Sequence, residues 1–114
     1  MIAKKIIAID FDGTITEPSP YPITGKIRTK AIEVIKKLQK KYVCCLWTCR
    51  RSGDLEEAIQ LLGQHGVVFE YINNSPKGMS KKIFADVYID DKAFGTVIDW
   101  DEIERKLLGD GNHV

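Results

Sequence analysis

The stretch Ile6-Ile7-Ala8-Ile9-Asp10-Phe11-Asp12-Gly13-Thr14-Ile15 decides the fold. Its leading apolar residues have no polar break, which predicts a short strand buried on both faces, as in a parallel sheet covered by helices. Two carboxylates follow, two residues apart, and Gly13-Thr14 comes directly after. A strand places residues two apart on one side, so Asp10 and Asp12 are expected to share one small volume. Two like charges about 4 Å apart repel by roughly 4 kcal/mol at an effective dielectric near 20. A cation or a catalytic task is the usual compensation for such a pair. Asp12-Gly13 alone reads as a turn in which Asp12 bonds locally. The full Asp-x-Asp-Gly-Thr string is much rarer, arising by chance in about one chain in a thousand of this length when each fixed residue is used at about one in twenty.

Around that stretch, a chain of 114 residues is expected to make one domain, residues 1–114, with one core. Apolar residues at 44% and charged residues at 29% match an ordinary soluble globular protein. No apolar run approaches the ~18 residues of a membrane span, so no membrane partner is expected. The segment Met1-Ile2-Ala3-Lys4-Lys5 leads into too short an apolar run for a signal peptide. Cys44, Cys45 and Cys49 are odd in number and crowded together, which fits reduced thiols in a cytoplasmic protein. His65 and His113 do not stand at zinc-ligand spacing from them.

Thr14 to Pro22 holds three of the four prolines and is expected to be a surface loop or small flap over the end of the first strand. From Lys26 to Lys41, Ile27, Ala31, Val34, Ile35 and Leu38 follow helical spacing. Lys26, Lys30, Lys37 and Lys41 would form a stripe on the other side. Such a run is usually a solvated face; its alternative is a footprint for a polyanion such as nucleic acid, which a net charge of +1 supports only weakly. Tyr42 to Trp47 predicts a second buried strand, ending in the polar loop Thr48 to Gly53. A second helix is expected near Asp54, with Asp54 and Glu57 as a capping pair, Leu55, Ala58, Ile59 and Leu62 as its buried face, and Gly66 as its stop. Val67 to Ile72 predicts a third strand, Ser80 to Phe84 a short helix, and Asp86 to Ile89 a fourth strand running into Asp90-Asp91. Ala93 to Ile98 is expected to add a last strand, and Asp99 and Glu102 to cap a closing helix built on Ile103, Leu107 and Leu108.

Strands alternating with helices predict an α/β fold with a single doubly wound parallel sheet. Ligands bind such sheets outside the carboxyl ends of the strands. Asp10 and Asp12, Thr48 and Arg50, and Asp90 and Asp91 are all expected there. Carboxylates gathered at one edge call for a cation, and all-oxygen ligation suits Mg2+. Metal, hydroxyl, arginine and lysine together (Lys77, Lys81 and Lys82 follow the third strand) suit a phosphoryl group, whose charge spreads over its equatorial oxygens. One Asp is then a candidate nucleophile and its neighbour two residues on a general acid and base.

Asp10-Phe11-Asp12-Gly13-Thr14 resembles the first motif of the haloacid dehalogenase superfamily of phosphohydrolases. Leu46-Trp47-Thr48 is similar to its second, Lys82 within Ser80-Lys81-Lys82-Ile83-Phe84-Ala85-Asp86 to its third, and Ile89-Asp90-Asp91 to its fourth. The resemblance implies a Rossmann-like core with Asp10 as the nucleophile that takes up the phosphoryl group. It implies that Asp12 protonates the leaving group and then activates water, its backbone carbonyl helping to hold Mg2+. Thr48 would hydrogen-bond the phosphate and Lys82 would neutralise it, with Lys77 and Lys81 as competitors for that role. Asp90 and Asp91 would complete the metal site. Arg50 lies outside the four motifs and is a candidate substrate clamp, or else an ordinary arginine after a strand. There is no room for a cap domain, so a capless member is expected, covered by its own substrate or closed by a second copy of the chain in a homo-oligomer.

The expected function is Mg2+-dependent hydrolysis of a phosphomonoester through an aspartyl-phosphate, the substrate being a small metabolite, a nucleotide, or a nucleic-acid or protein phosphate. The alternatives are a phosphoacceptor signalling module like a response-regulator receiver and a non-catalytic binding protein on the same scaffold. A receiver keeps its acid pair and its phosphorylated Asp on separate strands with the lysine late in the chain, unlike the order here.

Overall fold

The computed structural model describes residues 4–20, 22–74, 85–92 and 97–109. The elements run β1 (Ile6–Asp10), α1 (Ala31–Lys41), β2 (Val43–Trp47), α2 (Ser52–Gln64), β3 (Tyr71–Ile72), β4 (Val87–Ile89) and α3 (Trp100–Leu108). The strands form one parallel sheet in the order β3-β2-β1-β4, so the expected α/β single-sheet architecture is the observed one. No cap domain is present among the described residues, and no helix among them is long and apolar enough to cross a membrane.

The centre of the sheet is β1 because its isoleucines can be buried on both sides. Ile7 and Ile9 face a core shared with Val34, Ile35 and Leu38 of α1, Leu46, Ala58, Leu62 and Trp100. Ile6 and Ala8 face the other way, with Cys45 and the partly buried Trp47 and Tyr71. Each fully buried Ile or Leu contributes about 1.5–3 kcal/mol. The chain winds outward from β1 through β2 to β3, then crosses back to lay β4 on the opposite side of β1. The strand order thus reverses between β1 and β4, and sheets of this kind take their ligands outside the carboxyl ends of the strands at such a point.

The structure shortens several expected elements. The first helix begins at Ala31 instead of Lys26. Its predicted opening turn is spent on the preceding loop: Ile27 bridges Thr16 in antiparallel fashion, and the Arg28 guanidinium donates to the carbonyls of Thr16 and Gly13 at 3.2 and 2.8 Å. The third strand is only Tyr71–Ile72, because Val67 and Phe69 are buried in the core as loop residues. Helix α2 starts two residues before Asp54, and no side chain caps it; Glu57 accepts the Thr24 hydroxyl instead. Ala58 and Leu62 are buried as expected, whereas Ile59 is 38% exposed. Val97 and Ile98 are not in a strand, and the expected helix Ser80 to Phe84 lies outside the described residues.

Two helix ends follow the sequence signals closely. Gly66 takes φ +80°, and the N–H groups of Gly66 and Val67 reach the carbonyls of Gly63 and Leu62 at 2.9 Å each, closing α2 in a Schellman motif. The Asp99 carboxylate accepts the N–H groups of Asp101 and Glu102 at 3.0 and 3.2 Å and caps α3. The lysine stripe is in large part a seam between helices. Lys30 pairs with Asp101 at 2.8 Å and Glu104 at 3.1 Å, and Lys37 with Glu104 at 2.7 Å, while Lys41 donates to the Leu107 carbonyl at 3.3 Å. Cys44 and Cys45 are buried and unbridged, and burial pushes the Cys44 thiol up to about 12.

Candidate functional site

Immediately after β1 the chain reverses over one carbonyl. The Phe11 oxygen accepts the N–H groups of Thr14, Ile15 and Thr16 at 3.2, 2.9 and 3.2 Å. Gly13 permits this with φ +81°, and a Cβ there would lie 2.2 Å from Asp91 Oδ2. Glycine at this position therefore serves both the left-handed turn and the approach of the acidic segment after β4. The turn brings the fully buried Thr14 between the two segments. Its hydroxyl donates to Asp10 Oδ2 at 3.0 Å and accepts the Asp91 backbone N–H at 3.0 Å, and its carbonyl takes the Trp100 indole N–H at 3.0 Å.

The result is a cluster in which one carboxylate oxygen from each of Asp10, Asp90 and Asp91 lies within 4.8 Å of the others. The acids expected at the ends of β1 and β4 thus do meet. Their mutual cost is visible at Asp10, whose carboxyl is pushed up to about 7 by burial above all, with further upward pressure from Asp90 and Asp91, against the opposing hydrogen bond from Thr14. Three crowded carboxylates with an oxygen-only donor set fit a hard divalent cation.

Asp12 does not share that volume, contrary to expectation. The chain leaves the extended conformation after Asp10, so the two-residue rule for strands no longer applies and the Asp12 carboxylate turns toward Arg50. The guanidinium grips it in bidentate fashion, Nε to Oδ2 at 2.8 Å and Nη2 to Oδ1 at 2.7 Å. Arg50 is itself 1% exposed. Its Nη1 donates to the Asp54 carbonyl at 3.2 Å, and its carbon Cζ sits 5.2 Å from the Phe11 ring centroid. The Asp12 carboxylate holds the Arg50 proton more firmly than usual.

Thr48, at the end of β2, is nearly buried. Its hydroxyl accepts the Arg50 N–H at 3.1 Å, and its own N–H donates to Asn73 Oδ1 at 2.8 Å. Asn73 adopts φ +54°, a left-handed conformation that asparagine tolerates better than most residues. Asn73, Arg28 and Trp100 support the site without having been singled out as sequence positions. The polar pair Asn73-Asn74 directly after the third strand marks a loop at the carboxyl edge, and nothing in the local sequence marks the other two. Lys82 and its competitors Lys77 and Lys81 lie outside the described residues.

A solved structure of a conserved protein from Bacteroides thetaiotaomicron superposes on this chain with a TM-score of 0.83, at 37% sequence identity, covering 92% of this chain and 90% of that one. No protein-family model matches the chain, and no curated protein does so at a significant level.

Proposed function

This chain belongs to the same family as that conserved Bacteroides thetaiotaomicron protein, and for it we propose Mg2+-dependent hydrolysis of phosphomonoesters in the manner of the haloacid dehalogenase superfamily. The observation that carries the reading is the meeting of Asp10 with Asp90 and Asp91 across Thr14 at the carboxyl ends of β1 and β4. Asp10 is partly buried among two further acids, and a site for a hard cation and a phosphoryl oxygen accounts for that crowding.

Asp10, Asp90 and Asp91 would hold the ion, which when bound supplies positive charge to offset the carboxylates and the phosphoryl oxygens. An Asp10 oxygen attacks phosphorus, the ester P–O bond breaks, and the departing oxygen takes a proton from the Asp12 carboxyl. In the second half a water oxygen bonds to phosphorus and gives its proton to Asp12. The Asp10–phosphorus bond then breaks to release inorganic phosphate. Thr14 keeps Asp10 and the Asp90-Asp91 segment in register throughout. Lys82 is the proposed neutralising cation. The lysine stripe adds little to a polyanionic substrate, since Lys30 and Lys37 already have acidic partners.

The test is phosphate release from a panel of sugar phosphates, nucleotides, p-nitrophenyl phosphate and end-phosphorylated oligonucleotides, with and without Mg2+. Repeated turnover that needs the ion and is lost in Asp10→Asn is the expected result. A single round of labelling without turnover would mark a phosphoacceptor module, and activity persisting in Asp10→Asn would remove that residue as nucleophile.

A further inference from the structure

The Arg50–Asp12 pair is buried at its arginine and open at its carboxylate. A clamp for substrate phosphate must be reachable, yet the Arg50 side chain is 0% exposed while Asp12 is 39% exposed. Burying a guanidinium is costly unless its donors are satisfied. Its partners here include both Asp12 oxygens, the Asp54 carbonyl and, at 3.8 Å, Glu57, with the Phe11 ring 5.2 Å away. Backbone and ring thus hold Arg50 in place, and of the two carboxylates beside it Asp12 takes the bidentate fork while Glu57 stands farther off from Nη1. We propose that Arg50 is a positioning residue for Asp12, fixing the direction from which that carboxylate passes protons to and from the reacting oxygens.

The geometry is compatible with that duty. A carboxylate has about four lone-pair positions, and a bidentate arginine occupies two of them. One outward position on each oxygen is left for the travelling proton. In the first half-reaction the leaving oxygen takes that proton as its bond to phosphorus breaks. In the second, the attacking water returns one as the aspartyl-phosphate bond breaks. Loss of the fork with the charge kept, as in Arg50→Lys, leaves a cation beside Asp12 but removes its aim, and a positioned general acid contributes about 10²–10⁴-fold. The penalty must therefore grow as the leaving alcohol becomes poorer.

This inference rests on the phosphatase reading, and its test separates the two. Arg50→Lys keeps the charge and loses the fork; Arg50→Gln loses both. With Mg2+ present, kcat/KM is measured across esters from p-nitrophenyl phosphate to an alkyl phosphate, together with inhibition by inorganic phosphate. The expected result is a loss of ~10- to 100-fold on the alkyl ester, under ~3-fold on the p-nitrophenyl ester, and an unchanged phosphate inhibition constant. In an Asp12→Asn background the Arg50 substitutions should then cost nothing further on the alkyl ester. Phe11→Leu, which loosens the guanidinium without removing a charge, should show the same leaving-group pattern at smaller size, and serves if position 50 tolerates no change. Equal slowing of every ester in folded variants, or a raised phosphate constant, overturns the positioning role alone. Absence of Mg2+-dependent turnover in the unaltered protein with every ester overturns the phosphatase reading and the positioning role with it.

Discussion

The hydroxyl of Thr14 accepts the backbone N–H of Asp91 at 3.0 Å, joining positions 77 residues apart, and with its single proton it serves Asp10 at 3.0 Å. One buried side chain thus holds the two acidic segments together. Thr14→Val keeps the shape and removes both bonds, leaving a buried N–H without its acceptor. A loss of about 1–3 kcal/mol in unfolding free energy is expected, together with weaker Mg2+ binding by titration calorimetry. Unchanged affinity for the ion would mean that the cluster assembles without the threonine.

Gly13 and Gly53 make a matched pair. Alanine at position 13 would put its Cβ 2.2 Å from Asp91 Oδ2 at a left-handed φ, whereas position 53 has nothing within 4 Å. Gly13→Ala is expected to destabilise the fold by about 1–3 kcal/mol and to weaken Mg2+ binding. Gly53→Ala, inside α2, should stabilise by about 0.4–1 kcal/mol. Chemical denaturation of both variants beside the unaltered protein checks the contrast.

The raised carboxyl of Asp10 sets a pH dependence. Its value rises from 3.8 in the unfolded chain to about 7 in the fold, so between those limits the native state binds the proton more tightly than the unfolded state. Stability of the metal-free protein should therefore fall as pH climbs from about 4 to about 7 and level off above. If the cluster takes up Mg2+ as proposed, the ion favours the ionised form and should raise the melting temperature more at pH 8 than at pH 5. Asp10→Asn should flatten both trends. A melting temperature that rises steadily through that window would contradict this assignment.

Glu104 ties α3 to Lys30 and Lys37 of α1, and those neighbours pull its carboxyl below the usual range. Glu104→Gln should lower the melting temperature slightly at low salt, with the difference shrinking at high salt as screening removes the pair's contribution. The proposed phosphate release should be unaffected, since Glu104 takes no part in the bonds that join Asp10 to the Asp91 segment.

The sequence by itself determined the features that depend on near neighbours. The isoleucine run of β1 and the apolar spacing of α1 predicted their elements, and Gly66 and Asp99 marked helix ends through bonds to residues two to five positions away. The alternation of strands and helices placed Asp10, Thr48, Asp90 and Asp91 at the carboxyl edge of one sheet. Only the tertiary structure decided the partners of side chains that could serve several. Asp12 parted from Asp10 and joined Arg50 across 38 positions, and lysines that read as a solvated stripe found Asp101 and Glu104 on another helix. Periodicity reports which face of an element is buried, because that follows from backbone geometry. An ion pair is settled by which surfaces come together when the chain closes, and a charge carries no record of that in its own neighbourhood.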